Sequence, residues 1–187
     1  MAGVLYAMET PQNSPAGIRG QDTDLIRPPM RVADIKLRGQ GMAPDRLAGI
    51  KRGLRTLHAA ETMAVNVYKF ELTSEANELN RLLVAAMANE MTHLQDFQIK
   101  LYEYGWKPSK SRYINWVISA VFGYVSRLRG PKKILETGMW VETKACHHYD
   151  ELLKTVAWDE DTRKIVEKDR ADEDEHIARW QGQLQKA

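Results

Sequence analysis

Cysteine is nearly absent from this chain of 187 residues, where Cys146 stands alone. A single thiol excludes an internal disulfide framework, a cysteine-based zinc site and a rubredoxin-type iron site. It also fits a reducing compartment. Net charge is close to absent too: 27 Lys and Arg against 25 Asp and Glu leave +2 with histidine neutral. That is too little to point to nucleic acid as a partner. No apolar run reaches the length of a membrane span. The opening MAGVLYAMETPQ lacks a charged start and meets an acid before any apolar stretch lengthens, so no signal peptide is expected. These absences predict an intracellular, cytoplasmic protein. Period-two alternation is missing over any convincing length, so no sheet is expected either.

What is present is a composition of 43% hydrophobic and 28% charged residues, that of one globular domain large enough to bury a sizeable core. Four of the seven prolines (Pro11, Pro15, Pro28, Pro29) and five of the twelve glycines fall in residues 1–42. That stretch has no sustained period and reads as an irregular N-terminal arm ahead of a domain at residues 43–187. From Met42 onward the pattern is helical. A first helix is expected from Pro44 to Leu72, and a second from a Ser74 cap to a stop at Gly105. A third is expected over Ser111–Arg129, a fourth from Pro131 to about Trp158, and a fifth from an Asp159 cap to about Leu184. Very short turns join the first two helices and the last two, so each pair must be an antiparallel hairpin. Two hairpins separated by one long crossover predict an all-α, ferritin-like four-helix bundle, with the apolar third helix in the crossover.

The second helix carries Glu90-x-x-His93. With five histidines in the chain, one such pair is weak as a signal. The fifth helix carries another, Glu173-x-x-His176. Each motif helix follows a helix with a glutamate in apolar surroundings, Glu61 in HAAETMAV and Glu142 in MWVETKAC. Glu61 precedes Glu90 by 29 residues and Glu142 precedes Glu173 by 31, so one half appears twice. A di-metal carboxylate site in a bundle needs one Glu from each of two helices and a Glu-x-x-His from each of the other two. Four carboxylates match the charge of two divalent cations, and without them four inward glutamates would be costly to desolvate. Iron, or manganese, suits this mixed oxygen and imidazole set.

The neighbours of these positions are also informative. Tyr149, seven residues after Glu142, returns to nearly the same face, so its phenol either approaches the metals or is an ordinary buried tyrosine. His148, and His58 one turn before Glu61, are placed to support ligands through hydrogen bonds. The third helix, YINWVISAVFGYV, is apolar nearly all round and precedes Arg127, Arg129, Lys132 and Lys133. Two readings stay open for residues 113–133: a buried crossover or homodimer face, or a helix lying in a membrane interface with its basic flank on anionic lipid.

The motifs HAAE (58–61), NEMTHLQDF (89–97), VETKACHHY (141–149) and DEDEH (172–176), with the apolar crossover NWVISAVFG, resemble those of the demethoxyubiquinone hydroxylases of ubiquinone biosynthesis. The likeness covers roughly residues 50–180. It implies that Glu61, Glu90, His93, Glu142, Glu173 and His176 bind two irons, with Tyr149 close by. It further implies a di-iron monooxygenase that hydroxylates a prenylated quinone with dioxygen and electrons from NADH or another external reductant. The site would lie at a membrane surface, peripheral on the inner face of the cell membrane. Three features depart from the family pattern. Ala60 and Thr62 stand where Gly and Tyr are usual, the chain stops 11 residues after His176 without an amphipathic C-terminal helix, and the proline-rich arm is extra. The alternative reading is an iron-handling ferroxidase of bacterioferritin type.

Overall fold

The computed structural model describes residues 30–186. The greater part of the expected N-terminal arm, residues 1–29, lies outside the described residues. Residues 30–35 belong to a separate small unit. Its described part holds one 3-10 turn, Val32–Asp34, closed by Arg31 bonding the Asp34 carboxylate. From Lys36 the chain forms one compact unit, so residues 36–42 belong to the bundle. Arg38 fastens them there. Its guanidinium bonds Glu103 (2.6 Å), Asp159 and Asp161, and its backbone N–H donates to Glu103 O at 2.8 Å.

Five helices follow: α1 (Pro44–Glu71), α2 (Glu78–Glu103), α3 (Arg112–Leu128), α4 (Pro131–Thr155) and α5 (Glu160–Leu184). No strand occurs among the described residues. Pro44 and Pro131 open α1 and α4, where a missing N–H costs nothing. Asp159 caps α5 by accepting from Thr162 N. Gly105 ends α2 at φ +72°, with Trp106 N–H reaching back to Leu101 O and Gly105 N–H to Tyr102 O. This is the left-handed stop that glycine accepts without strain. The second helix begins later than its sequence signal. Ser74 is not the cap; Asn77 is, accepting from Asn80 N at 2.9 Å. The Asn80 side chain ties up the intervening turn through bonds to Thr73 and Glu75. The fourth helix also stops short, at Thr155, and Trp158 turns back to donate to Leu152 O.

Helix α1 packs on α2 and α4, and α5 packs on those same two, so the four long helices form the expected all-α bundle of two hairpins. Helix α3 lies against α1 and α4. It does so through small residues: Ser119, Gly123 and Ser126 are its buried positions. A Cβ on Gly123 would stand 2.6 Å from Val67 O, which shows how closely the backbones approach. The apolar side chains of α3 therefore point outward, with Tyr113, Ile114, Val121 and Leu128 each more than half exposed. It is not a buried crossover helix. Ser126 also bonds the buried Glu71. Burial pushes Glu71 up to about 8, so it packs as a neutral acid at neutral pH.

The core divides in two. One cluster gathers Leu54, Leu57, Phe97, Tyr149 and Val166, and the other gathers Ala64, Val67, Leu83, Leu135 and Trp180. Along every long helix a glutamate falls between the two clusters. A polar layer thus crosses the middle of the bundle.

Candidate metal centre

Three residues of α-helix turn about 300°, so Glu90 with His93, and Glu173 with His176, project together from α2 and from α5. The bundle brings these four against Glu61 and Glu142, and none of the six is more than 2% exposed. Their donor atoms form two adjoining groups. One holds Glu61, Glu90, His93 and Glu173, the other Glu90, Glu142, Glu173 and His176, and within each the atoms lie within 4.8 Å of one another. Glu90 and Glu173 belong to both groups, as carboxylates shared by two cations would. His93 Nδ1 is 3.4 Å from Glu173 and 3.6 Å from Glu90. His176 Nδ1 is 2.9 Å from Glu90 and 3.3 Å from Glu173.

The groups of this layer shift one another's affinity for protons. Burial, then the neighbouring Glu90 charge, pushes Glu61 and Glu142 well above the usual carboxylate range. Burial opposes charge on Glu90, but the imidazoles of His176 and His93 beside it hold it well below that range. Burial likewise opposes charge on the histidines, yet the carboxylates of Glu173 and Glu90 push His93 up to about 12 and His176 up to about 9. Protons on imidazoles and carboxylates are what divalent metals displace.

The donor set fits two such ions by a second criterion. Glu61 Oε2, both oxygens of Glu90, Glu142 Oε2, both oxygens of Glu173, and Nδ1 of His93 and of His176 are buried with no well-aligned hydrogen bond, only close contacts with one another such as His176 Nδ1 to Glu90 at 2.9 Å. Orphaned buried polar atoms cost about 1–3 kcal/mol each, and here they all face one another. Two cations between them would satisfy the whole set.

Around the ligands runs a shell that sequence reasoning only partly found. Tyr149 is fully buried and donates to Glu61 Oε1 at 2.7 Å. Its counterpart, Tyr68, was missed; it donates to Glu142 Oε1. The signal was there, since Tyr68 follows Glu61 by seven residues just as Tyr149 follows Glu142. Trp180 adds a second donor to Glu142 at 3.3 Å. Asp172 lies 3.2 Å from His93 Nε2, accepting its proton and leaving Nδ1 free for a metal. The Asn89 carboxamide is 3.0 Å from His176 Nε2. The amide nitrogen faces the ring, so an end-for-end turn of the carboxamide, bringing its oxygen there, would set the same tautomer.

The expected supporting histidines lie elsewhere. His58 is buried, but its Nε2 faces Gln98 Oε1 at 3.4 Å, and burial holds its pKa below the usual value. His148 is exposed on α4 and bonds none of the six. It lines a recess of about 570 Å³ together with Lys51, Arg52 and Arg55. Position decides this: His148 precedes Tyr149 and is turned about 100° from the ligand face. Thr62 spends its hydroxyl on His58 O, within its own helix. Burial raises the Cys146 thiol to about 11, so it packs as a neutral side chain.

Between α3 and the bundle lie two cavities, of about 440 and 240 Å³. They share the stacked rings of Phe122 and Trp140, whose centroids are 5.6 Å apart. The smaller is almost wholly apolar and is lined by Ala60, Met63, Ala64 and Ala145, which flank Glu61 on α1 and follow Glu142 on α4.

Comparison with known proteins adds a consistent pattern. The family model described as "Ubiquinone biosynthesis protein COQ7" matches residues 48–182. A Dictyostelium discoideum relative named "NADPH-dependent 3-demethoxyubiquinone 3-hydroxylase, mitochondrial" is 31% identical over 133 residues, covering 68% of this chain and 61% of that protein. A "3-demethoxyubiquinol 3-hydroxylase" of Legionella pneumophila (strain Paris) is 26% identical over 159 residues, covering 81% and 75%. The chain thus spans less than two thirds of the length of the first relative.

Proposed function

The chain belongs to the family of ubiquinone biosynthesis protein COQ7, and on that premise we propose that it is a di-iron monooxygenase hydroxylating a prenylated, demethoxyubiquinone-like quinone at a membrane surface. The observation that carries this reading is the pair of cavities between α3 and the bundle, the smaller of them almost wholly apolar and lined by the neighbours of Glu61 on α1. A ferroxidase has no use for an apolar channel beside its ligands; a lipid hydroxylase needs one.

Glu61, Glu90, His93, Glu142, Glu173 and His176 would hold the two irons, and manganese suits the same donors. When bound, the metals supply electrons and open positions for activating dioxygen. The external electron source is a reduced nicotinamide nucleotide, a class to which the name of the Dictyostelium relative points. The protein's own part is positioning. Tyr149 holds Glu61 by one hydrogen bond and keeps a proton beside it. Tyr68 and Trp180 fix Glu142. The apolar clusters above and below the polar layer exclude water from reactive species.

Two features of the α3 region support action at a membrane surface. Its apolar side chains face outward, and Arg127, Arg129, Lys132 and Lys133 follow at its C-terminal end. Each basic residue near an anionic surface contributes about 1 kcal/mol. No helix among the described residues is long and apolar enough to cross a membrane. A peripheral position on the inner face of the cell membrane is the reading these features favour.

The test is anaerobic loading with ferrous iron, followed by reductant, oxygen and a prenylated demethoxyquinone in anionic vesicles. A product heavier by one oxygen atom is expected, together with flotation of the protein with the vesicles. Mineralisation of iron without lipid product would replace this reading with the ferroxidase.

A further inference from the structure

All six residues of the proposed centre are sealed from solvent, none more than 2% exposed, so a cation has to reach them between helices. The cavity on the α1, α3 and α4 side is lined mainly by apolar side chains, with Lys144 and His148 among them and no carboxylate. The α2–α5 side differs. There Asp172 Oδ2 lies 3.2 Å and Asp169 Oδ1 4.0 Å from His93 Nε2, and the three residues offer donor atoms within 4.8 Å of one another. The Asp172 side chain is 41% exposed and that of Asp169 is 0% exposed, which makes a step from solvent to interior. Asp169 Oδ2 is buried and has no hydrogen-bond partner, an oxygen desolvated with nothing in return. The pair already holds a cation: the Lys168 ammonium sits 2.9 Å from Asp172 and 3.1 Å from Asp169, on a side chain 59% exposed and free to swing away.

We infer that Asp169 and Asp172 form a transit site through which a divalent cation displaces the Lys168 ammonium and passes His93 to reach the buried centre. The site is one-sided. Counted back from the shared glutamates, the positions matching Asp169 and Asp172 on α2 are Ala86 and Asn89, which carry no charge. The inference rests on the di-metal reading of the centre.

The probe is Co²⁺ alone, mixed with metal-free protein and followed by its visible absorption, with on-rate, off-rate and equilibrium affinity all measured. A site that an ion only passes through changes both rates by one factor and leaves affinity unchanged, because affinity depends on end states alone. Asp169→Asn is expected to slow loading and release alike by about tenfold, with affinity within about twofold. Lys168→Gln should speed both. Glu175→Gln, an exposed acid on the same helix, should change neither. An Asp169→Asn variant with a normal on-rate, or one weakened through its off-rate alone, overturns the transit site and leaves Asp169 as a prop for His93. Equal slowing by Glu175→Gln overturns it too, in favour of general surface charge. Failure of the wild type to bind cobalt at all would remove the di-metal reading itself, a distinct outcome.

Discussion

The α1–α2 and α4–α5 hairpins are two editions of one design. Each supplies a lone glutamate, a tyrosine seven residues on, and a Glu-x-x-His on its second helix. The supports cross over: Tyr149 bonds Glu61, Tyr68 bonds Glu142, Asp172 serves His93 and Asn89 serves His176. Neither half can order its ligands alone, so folding of the bundle and formation of the site are one event. The differences are as informative as the repeat. Among the described residues Glu142 receives donors from both Tyr68 and Trp180, whereas Glu61 receives one from Tyr149. Position 97, which matches Trp180 in the first half, is a phenylalanine without an N–H. Glu61 is thus the less restrained carboxylate, while the smaller apolar cavity borders the turns that carry both Glu61 and Glu142.

The largest effect should come from breaking what the halves share. Wild-type protein should bind two irons per chain, whereas Glu90→Ala or Glu173→Ala, or His93→Ala with His176→Ala, should abolish tight binding, as measured by equilibrium dialysis with metal analysis. Glu61→Ala or Glu142→Ala, each serving one position, should leave about one. Equal loss from all four glutamates would deny that two of them are shared.

Next comes the unequal restraint. Tyr149→Phe keeps the ring and removes the only donor to Glu61, so product formation should fall at least about tenfold, roughly 1.4 kcal/mol of barrier, with two metals retained. Tyr68→Phe leaves Trp180 on Glu142 and should cost less than about threefold in the same assay.

A third difference is one of pH in the metal-free protein. Both histidines are raised above their ordinary value near 6.5, His176 to about 9 and His93 to about 12. The folded state therefore holds protons that the unfolded chain releases near 6.5, and the associated stability is lost as pH rises through the folded value. Thermal denaturation between pH 7 and 9.5 should show the melting temperature falling through both histidines, the His176 contribution levelling off near pH 9 and that of His93 continuing. Either His176→Gln or His93→Gln should make that fall shallower; bound metal should remove it, having replaced the protons.

The smallest effect is expected from Trp180→Phe, which loses one hydrogen bond while Tyr68 still holds Glu142. Denaturant unfolding should register about 1 kcal/mol, and iron stoichiometry should not change.

Helix number, hairpin pairing and the six inward residues were legible because each rests on local spacing. The bundle then had only to bring equal intervals to equal depth. The start of α2 was not legible, because Ser74 and Asn77 are both competent caps and the choice is made by Asn80 organising the turn between them. The orientation of α3 was hidden by its nearly uniform apolarity. Its docking face is marked instead by what is small, Ser119, Gly123 and Ser126, spaced to let backbones touch. Tyr68, Asn89 and Asp172 stand at offsets that repeat between the halves. They were legible in principle, but only to a reading that carried the repeat beyond the ligands. His148 was misjudged for lack of that step, since its ring points away from the face that Tyr149 shares with Glu142.

The central claim, that two matched hairpins build one centre for a pair of metals, is tested most directly by Mössbauer spectroscopy of the protein loaded anaerobically with iron-57 and then exposed to oxygen. The account expects two irons per chain, ferrous before oxygen, and afterwards a spin-coupled diferric pair with two unequal sites. One iron per chain, or isolated ferric ions with the magnetic splitting of uncoupled high-spin iron, would contradict it.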